Sequence, residues 1–341
     1  MPSSLTILVL ATLTTVCSPL LATETHAPSF LGAWAFELPD GNPAWLKLSK
    51  DGDQLRGWML WSVGSARPIR SIQIQGESLR FARKITWRPY GESVTKSITR
   101  PFQATLKGEK LQLKFVQSTV DSESVLKDEQ VQIEGCRISP PPRKPDLSDV
   151  SYGKVIELFN GQDLTGWKLS NPNKQNGWRV KNGCLINETP KLDFGAYGEF
   201  GNLRTEQEFE DFELAIEYNV PTGGNSGVYL RGMYEAQVVD QASPMQGIQG
   251  PGAIFGRIKP SLNAGRSGGK WNRYLLTLVD RHLTVILNGT KVIDNQLIEG
   301  CTGGGLQAND MLPGPILLQG DHTAVKYRNI RLRPIEVRRA N

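Results

Sequence analysis

The ten residues "DFELAIEYNV" (211–220) set Phe212, Leu214, Ile216 and Tyr218 against Glu213, Ala215, Glu217 and Asn219. Strict alternation belongs to a strand with one buried face, because successive side chains leave a strand on opposite sides. The pattern returns in "YLLTLVD", "HLTVILNG" and "TKVIDNQ". Between the last two, Asn288-Gly289 predicts a hairpin turn, since both residues take positive φ at little cost. No ten-residue stretch of this half repeats its apolar residues every 3.6 positions, which excludes a doubly wound nucleotide-binding fold. The 35 glycines and 21 prolines suit a chain that turns often.

Short alternating segments also fill residues 28–138: "AWAFELP", "AWLKLS", "QLRGWMLWS", "SIQIQG", "SLRFARK" and "KLQLKFV". They predict roughly six to eight strands in a small antiparallel barrel or sandwich. "GAWAF" at the first strand resembles the Gly-x-Trp opening of calycins. Trp34, Trp45, Trp58, Trp61 and Trp87 serve either core packing or a sugar platform, core packing being the commoner use of the residue. The proline-rich "SPPPRKPDLSDV" predicts a semi-rigid linker over 139–151. Residues 152–335 form a second, all-β sandwich domain in this reading, and 336–341 a tail.

Leu5 to Ala22 carries no charge and precedes the polar "TETHA". That pattern predicts a secretory signal over residues 1–27, an exported protein, and no membrane span after cleavage. Its removal would take Cys17 and leave Cys136, Cys184 and Cys301, an odd number without metal or redox spacing. One disulfide and three unpaired thiols both stay open. Only His26, His282 and His322 are histidines, which excludes a polyhistidine metal centre. The net charge of +5, from 39 basic and 34 acidic residues, makes no case for nucleic-acid binding.

"GGNSGVYLRGMYEAQVVD" (223–240) predicts a hairpin whose strands mix apolar and polar residues. A two-residue turn at Gly232-Met233 would put Leu230 opposite Glu235 and mix charge with aliphatic groups on each face. A three-residue turn over Gly232–Tyr234 pairs Arg231 with Glu235 and Tyr229 with Gln237. It separates Val228, Leu230, Ala236 and Val238 from Tyr229, Arg231, Glu235 and Gln237. A one-residue slip exchanges faces, so the second register is the expected one. The polar face then reads either as a solvated surface with an ion pair worth about 0–1 kcal/mol, or as a sugar-binding face. "GGNSG" lacks the following helix and Lys-Ser/Thr of a phosphate loop.

Seven segments then occur in order: "VIELFNGQDLTGW" (155–167), "GWRVKNGCLI" (177–186), "DFELAIEYNVPTGGNSGVYLRG" (211–232), "YEAQVVD" (234–240), "GKWNRYLLTLVDRHLTVILNGTKVID" (269–294), "TGGGL" (302–306) and "GPILLQGDHTAVKYRNIRLRPI" (314–335). Together they resemble the 3-keto-disaccharide hydrolase domain family over about 153–335. The resemblance implies a concanavalin- or laminin-G-like jelly roll, a bacterial-type envelope location, and an oligosaccharide or glycoside substrate oxidised to a ketone at C3.

A C3 ketone acidifies the C2 proton, and loss of that proton expels the C1 oxygen by elimination. Such chemistry needs a base near C2, donors at the C3 oxygen and an acid at the leaving oxygen. The candidates are Glu235 as base, Arg231 as enolate stabiliser and His322 as proton donor. Asn225, Tyr229, Gln237 and Gln319 are candidate sugar contacts, with Asp240 as a further acidic group. A divalent cation is one option, with Asp240, Asp321, Glu235 and His322 as potential ligands. The alternative function is a non-catalytic carbohydrate-binding or adhesion module on the same sandwich.

Overall fold

The computed structural model describes residues 29–87, 96–120, 126–190 and 199–337, so the expected signal over 1–27 lies outside it. The described chain is built of strands, which pair antiparallel throughout three sheets.

The first sheet has nine strands. Its two edge strands, Arg67–Pro68 and Arg70–Gln75, are separated by Ile69 alone. One continuous segment therefore pairs with Gln54–Trp61 at its start and with Ser78–Trp87 at its end. Ile69 N–H completes the join by donating to Gly57 O at 2.9 Å. A sheet whose two edges are the same segment has to close, and the unit is a barrel. Trp34, Leu46, Met59, Phe81, Phe102 and Phe115 fill it. Phe81 and Phe102 face each other across strands with rings stacked at 5.0 Å, and Trp61 meets Phe115 edge-on at 4.8 Å. The tryptophans form no single platform. Trp34 is inside the barrel, Trp45 is buried against the second unit and Trp58 is exposed; the side chain of Trp87 lies outside those described.

The second unit is a jelly-roll sandwich of a nine-stranded and a five-stranded sheet. Phe212, Leu214, Ile216 and Tyr218 are all at 0% exposure, with the alternate residues half-buried, as the sequence pattern requires. Asn288 and Gly289 take φ of 52° and 85° between paired Leu287 and Thr290, the two-residue turn that Asn-Gly favours. In the five-stranded sheet, Val228, Leu230, Ala236, Val238 and Leu318 point into the core. Its opposite face is the one that carries the cleft described below.

Barrel and sandwich are joined by more than chain connectivity. Residues 139–149 carry no strand, and Val150–Tyr152 pairs with the closing strand Val325–Val337. Arg281 donates to the Ser139 and Pro140 carbonyls at 3.2 and 2.6 Å, and Asn295 to Pro145 O at 2.9 Å. Ala35, Trp45, Leu60 and Ile138 of the barrel belong to the sandwich's own core. The Arg257 guanidinium lies 4.5 Å over the Trp45 ring. Cys136 is exposed, Cys184 half-buried and Cys301 buried, and all three are free thiols. Among the described residues no helix is long and apolar enough to cross a membrane.

Candidate functional site

The hairpin forms, but in a register that corrects the expected one. Tyr229 pairs with Glu235, Gly227 with Gln237 and Leu230 with Tyr234. The turn is Arg231–Met233, with Arg231 and Gly232 at φ of 54° and 62°. The difference is a slip of two residues, which leaves every paired side chain on its expected face. Alternation is blind to such a slip.

Arg231 is the casualty. It sits in the reversal instead of the strand, so its side chain leaves the polar face. Its guanidinium, 2% exposed, donates to Leu312 O and Asp310 O at 2.9 Å each. Those bonds hold a non-glycine residue in the left-handed region, a conformation costing about 1 kcal/mol. Arg231 is a structural clamp for the 310–312 segment and does not line the cleft.

On the outer face of the five-stranded sheet opens a cleft of about 600 Å³, a size that suits a small ligand. Seven of the sequence-predicted residues meet in it: Asn225, Tyr229, Glu235, Gln237, Gln319, Asp321 and His322. Asp240 does not join them. Its carboxylate accepts the N–H groups of Gly223 and Gly268 at 3.0 and 2.8 Å, tying two loops together. The ligand set considered for a cation is therefore divided, with Asp240 apart from Glu235, Asp321 and His322. Among the described residues no group of three or more His, Cys, Asp or Glu side chains is arranged to hold a metal ion.

Glu235 is 4% exposed. Burial pushes its carboxyl up to about 8; the Tyr229 hydroxyl beside it opposes that rise and the charge of Asp321 adds to it. Among the described residues no lysine or arginine forms an ion pair with it. Room for the carboxylate comes from Gly227, where a Cβ would stand 2.5 Å from Glu235 Oε1. Here the glycine serves a side chain. Tyr229 donates its hydroxyl to Gly303 O at 3.0 Å, and burial keeps that hydroxyl protonated far above its ordinary range. His322 Nδ1 lies 2.5 Å from Asp321 Oδ1, an arrangement that orients the imidazole.

Three amide oxygens complete the picture. Asn225 Oδ1, Gln237 Oε1 and Gln319 Oε1 are buried without a hydrogen-bond partner in the protein. An orphaned buried acceptor costs about 1–3 kcal/mol, and three of them belong to residues that line this one cleft. Sequence reasoning missed Asn202, Met245, Phe255 and, from the barrel, Val63 and Gly64, all of which line the same cleft. No local pattern marks them, because each arrives by tertiary packing. Gly303 and Gly304 were visible only as part of "TGGGL".

Residues 154–333 match the family model described as a 3-keto-alpha-glucoside-1,2-lyase-like domain. The chain belongs to this family. Over 75 residues it is 29% identical to a 3-keto-disaccharide hydrolase of Bacteroides thetaiotaomicron, a match covering 22% of this chain and 26% of that protein. The chain thus spans about a quarter of the length of that curated relative. Two solved structures of Parabacteroides distasonis proteins with provisional glycosyl-hydrolase designations are also similar. One is 30% identical, covering 57% of this chain and 92% of the other at a TM-score of 0.42. The second is 19% identical, covering 53% and 94% at a TM-score of 0.44. The family match includes the whole hairpin and the Gln319–His322 segment, and the barrel lies before it.

Proposed function

We propose that the cleft binds a 3-keto glycoside and cleaves its glycosidic bond by elimination. The observation that carries this reading is the trio of unpartnered amide oxygens beside a buried Glu235 that has no ion pair among the described residues. Sugar hydroxyls are the donors those oxygens lack, and the amide NH₂ groups of the same side chains supply donors for a C3 carbonyl. Arg231, held elsewhere, takes no part. The C3 oxygen therefore gathers its negative charge against amide donors.

Glu235 removes the C2 proton. The C2–H electron pair moves into the C3 carbonyl as an enolate, then returns to form the C1=C2 double bond as the C1–O bond breaks, and the departing oxygen takes a proton from His322, oriented by Asp321. Water added across the double bond, hydroxyl to C1 and proton to C2, makes the net reaction a hydrolysis. A carboxyl pushed up to about 8 is a stronger base than an ordinary carboxylate and still ionises near neutral pH. The uncharged Leu5–Ala22 segment supports export as part of the same reading.

The test incubates purified protein with a 3-keto-disaccharide and with its unoxidised parent. Release of sugar from the keto form alone is expected, with solvent deuterium entering C2. Cleavage of the unoxidised parent at a similar rate would remove the elimination mechanism. Binding of either sugar with no cleavage would assign the sandwich to carbohydrate binding instead.

A further inference from the structure

One wall of the cleft comes from the barrel. Ser62 and Gly64 both lie in the left-handed region, at φ of 61° and 74°, so the chain bends sharply around Val63. Ser62 O accepts the N–H of Gly304 at 3.1 Å. A Cβ on Gly303 would come within 2.3 Å of Gly64 N and O, so the two backbones touch directly. On the next turn, a Cβ on Gly256 would meet Ser65 Oγ at 2.6 Å. The wall is thus seated on the sandwich at two glycine contacts.

Its chemistry differs from that of the amide-lined floor. Val63 is 67% exposed, a large apolar side chain left open at the cleft, where Met245 and Phe255 also line the surface. Three nearby backbone groups are already engaged. Gly304 N–H is on Ser62 O, Gly303 O takes the Tyr229 hydroxyl, and Phe255 N–H donates to Glu235 O at 2.9 Å. A second, fully hydroxylated sugar against this wall would find few partners for its hydroxyls, whereas a hydrocarbon face would lose nothing.

We propose that the barrel supplies the leaving-group subsite of the cleft, and that Val63 selects 3-keto glycosides with an apolar, aryl-type aglycone over disaccharides. This rests on reading the cleft as a 3-keto glycoside site, and it gives the barrel a role in specificity. The sandwich alone would hold the keto sugar but not discriminate its partner.

The full chain and its Val63→Asp and Val63→Ser variants are assayed with the 3-keto forms of phenyl α-glucoside and of an α-glucose disaccharide. Calorimetric binding of unoxidised phenyl α-glucoside is measured alongside and needs no turnover. The wild type is expected to favour the phenyl compound at least tenfold in kcat/KM, and Val63→Asp to shrink that ratio about tenfold, chiefly through KM. Val63→Ser should fall between them. A wild-type preference for the disaccharide, or a ratio untouched by Val63→Asp, overturns the proposal. If neither keto compound is cleaved, the reaction is wrong but the wall is still decided. Phenyl glucoside binding that weakens about tenfold on Val63→Asp supports the subsite, and absent or unaltered binding rejects it.

Discussion

Asp310 and Glu235 are both buried carboxylates of the sandwich, and the protein treats them in opposite ways. Asp310, 2% exposed, is met by the Arg281 guanidinium at 3.0 Å, and the same arginine grips the linker carbonyls. Burial raises the Asp310 carboxyl, and Arg281 offsets part of that rise. Glu235 has burial with no ion pair among the described residues. A neutralised acid holds elements together, whereas an acid left without a counter-charge is a cost kept for some purpose other than stability.

Glu235→Gln should separate stability from turnover most widely. Turnover is expected to fall about 10³-fold, about 4 kcal/mol of barrier. Stability should move the other way. The Glu235 carboxyl sits at about 8 in the folded protein and near 4.3 in an unfolded chain. Its contribution is therefore fully present below about pH 4.3 and is lost as pH rises toward about 8. The variant's advantage should grow through that window, to at most about 5 kcal/mol. Denaturant unfolding from pH 5 to 9 reads it; a gap that stays constant with pH would show that Glu235 titrates normally. In the wild type, kcat/KM should climb with pH up to about 8 as the base ionises.

Asp310→Asn should do the reverse. It leaves Arg281 buried without its counter-charge, lowering stability by about 3 kcal/mol or more, while kcat changes little in whatever fraction stays folded. If the two variants behave alike in unfolding, the contrast fails.

Gly227→Ala probes the space that Glu235 needs. Its added methyl meets Oε1, and displacement of the base by even about 1 Å should cost about 100-fold in turnover, alongside an overpacking loss of about 1–3 kcal/mol in stability. The smallest effect is expected from Gln237→Leu, which removes one orphaned acceptor. KM should rise about tenfold while stability is unchanged or improved. A loss of stability there would mean that Gln237 is a structural residue.

Much of this contrast was legible before any coordinates, and the missing part has a physical cause. Alternation placed Tyr229, Glu235 and Gln237 on one face, because parity is a property of the strand itself. It could not place Arg231, since a slip of two residues preserves parity and only the turn at Arg231-Gly232 reveals it. Asp240 was a candidate as an acidic group at the end of the hairpin, yet its carboxylate is spent on Gly223 and Gly268. Val63 carried no signal at all. Its meeting with Gly303 depends on how two separately patterned units dock, and nothing within either pattern encodes that.

The closure of the barrel through Ile69 bears on how such a protein survives at high concentration. Open sheets offer a ladder of unspent backbone donors and acceptors to any extended chain that drifts by. Here the segment from Arg67 to Gln75 is engaged by Gln54–Trp61 along its start and by Ser78–Trp87 along its remainder. A foreign strand would have to evict a native one before it could add to the barrel, so this unit, unlike the open-edged sheets of the sandwich, offers no edge to fibril growth.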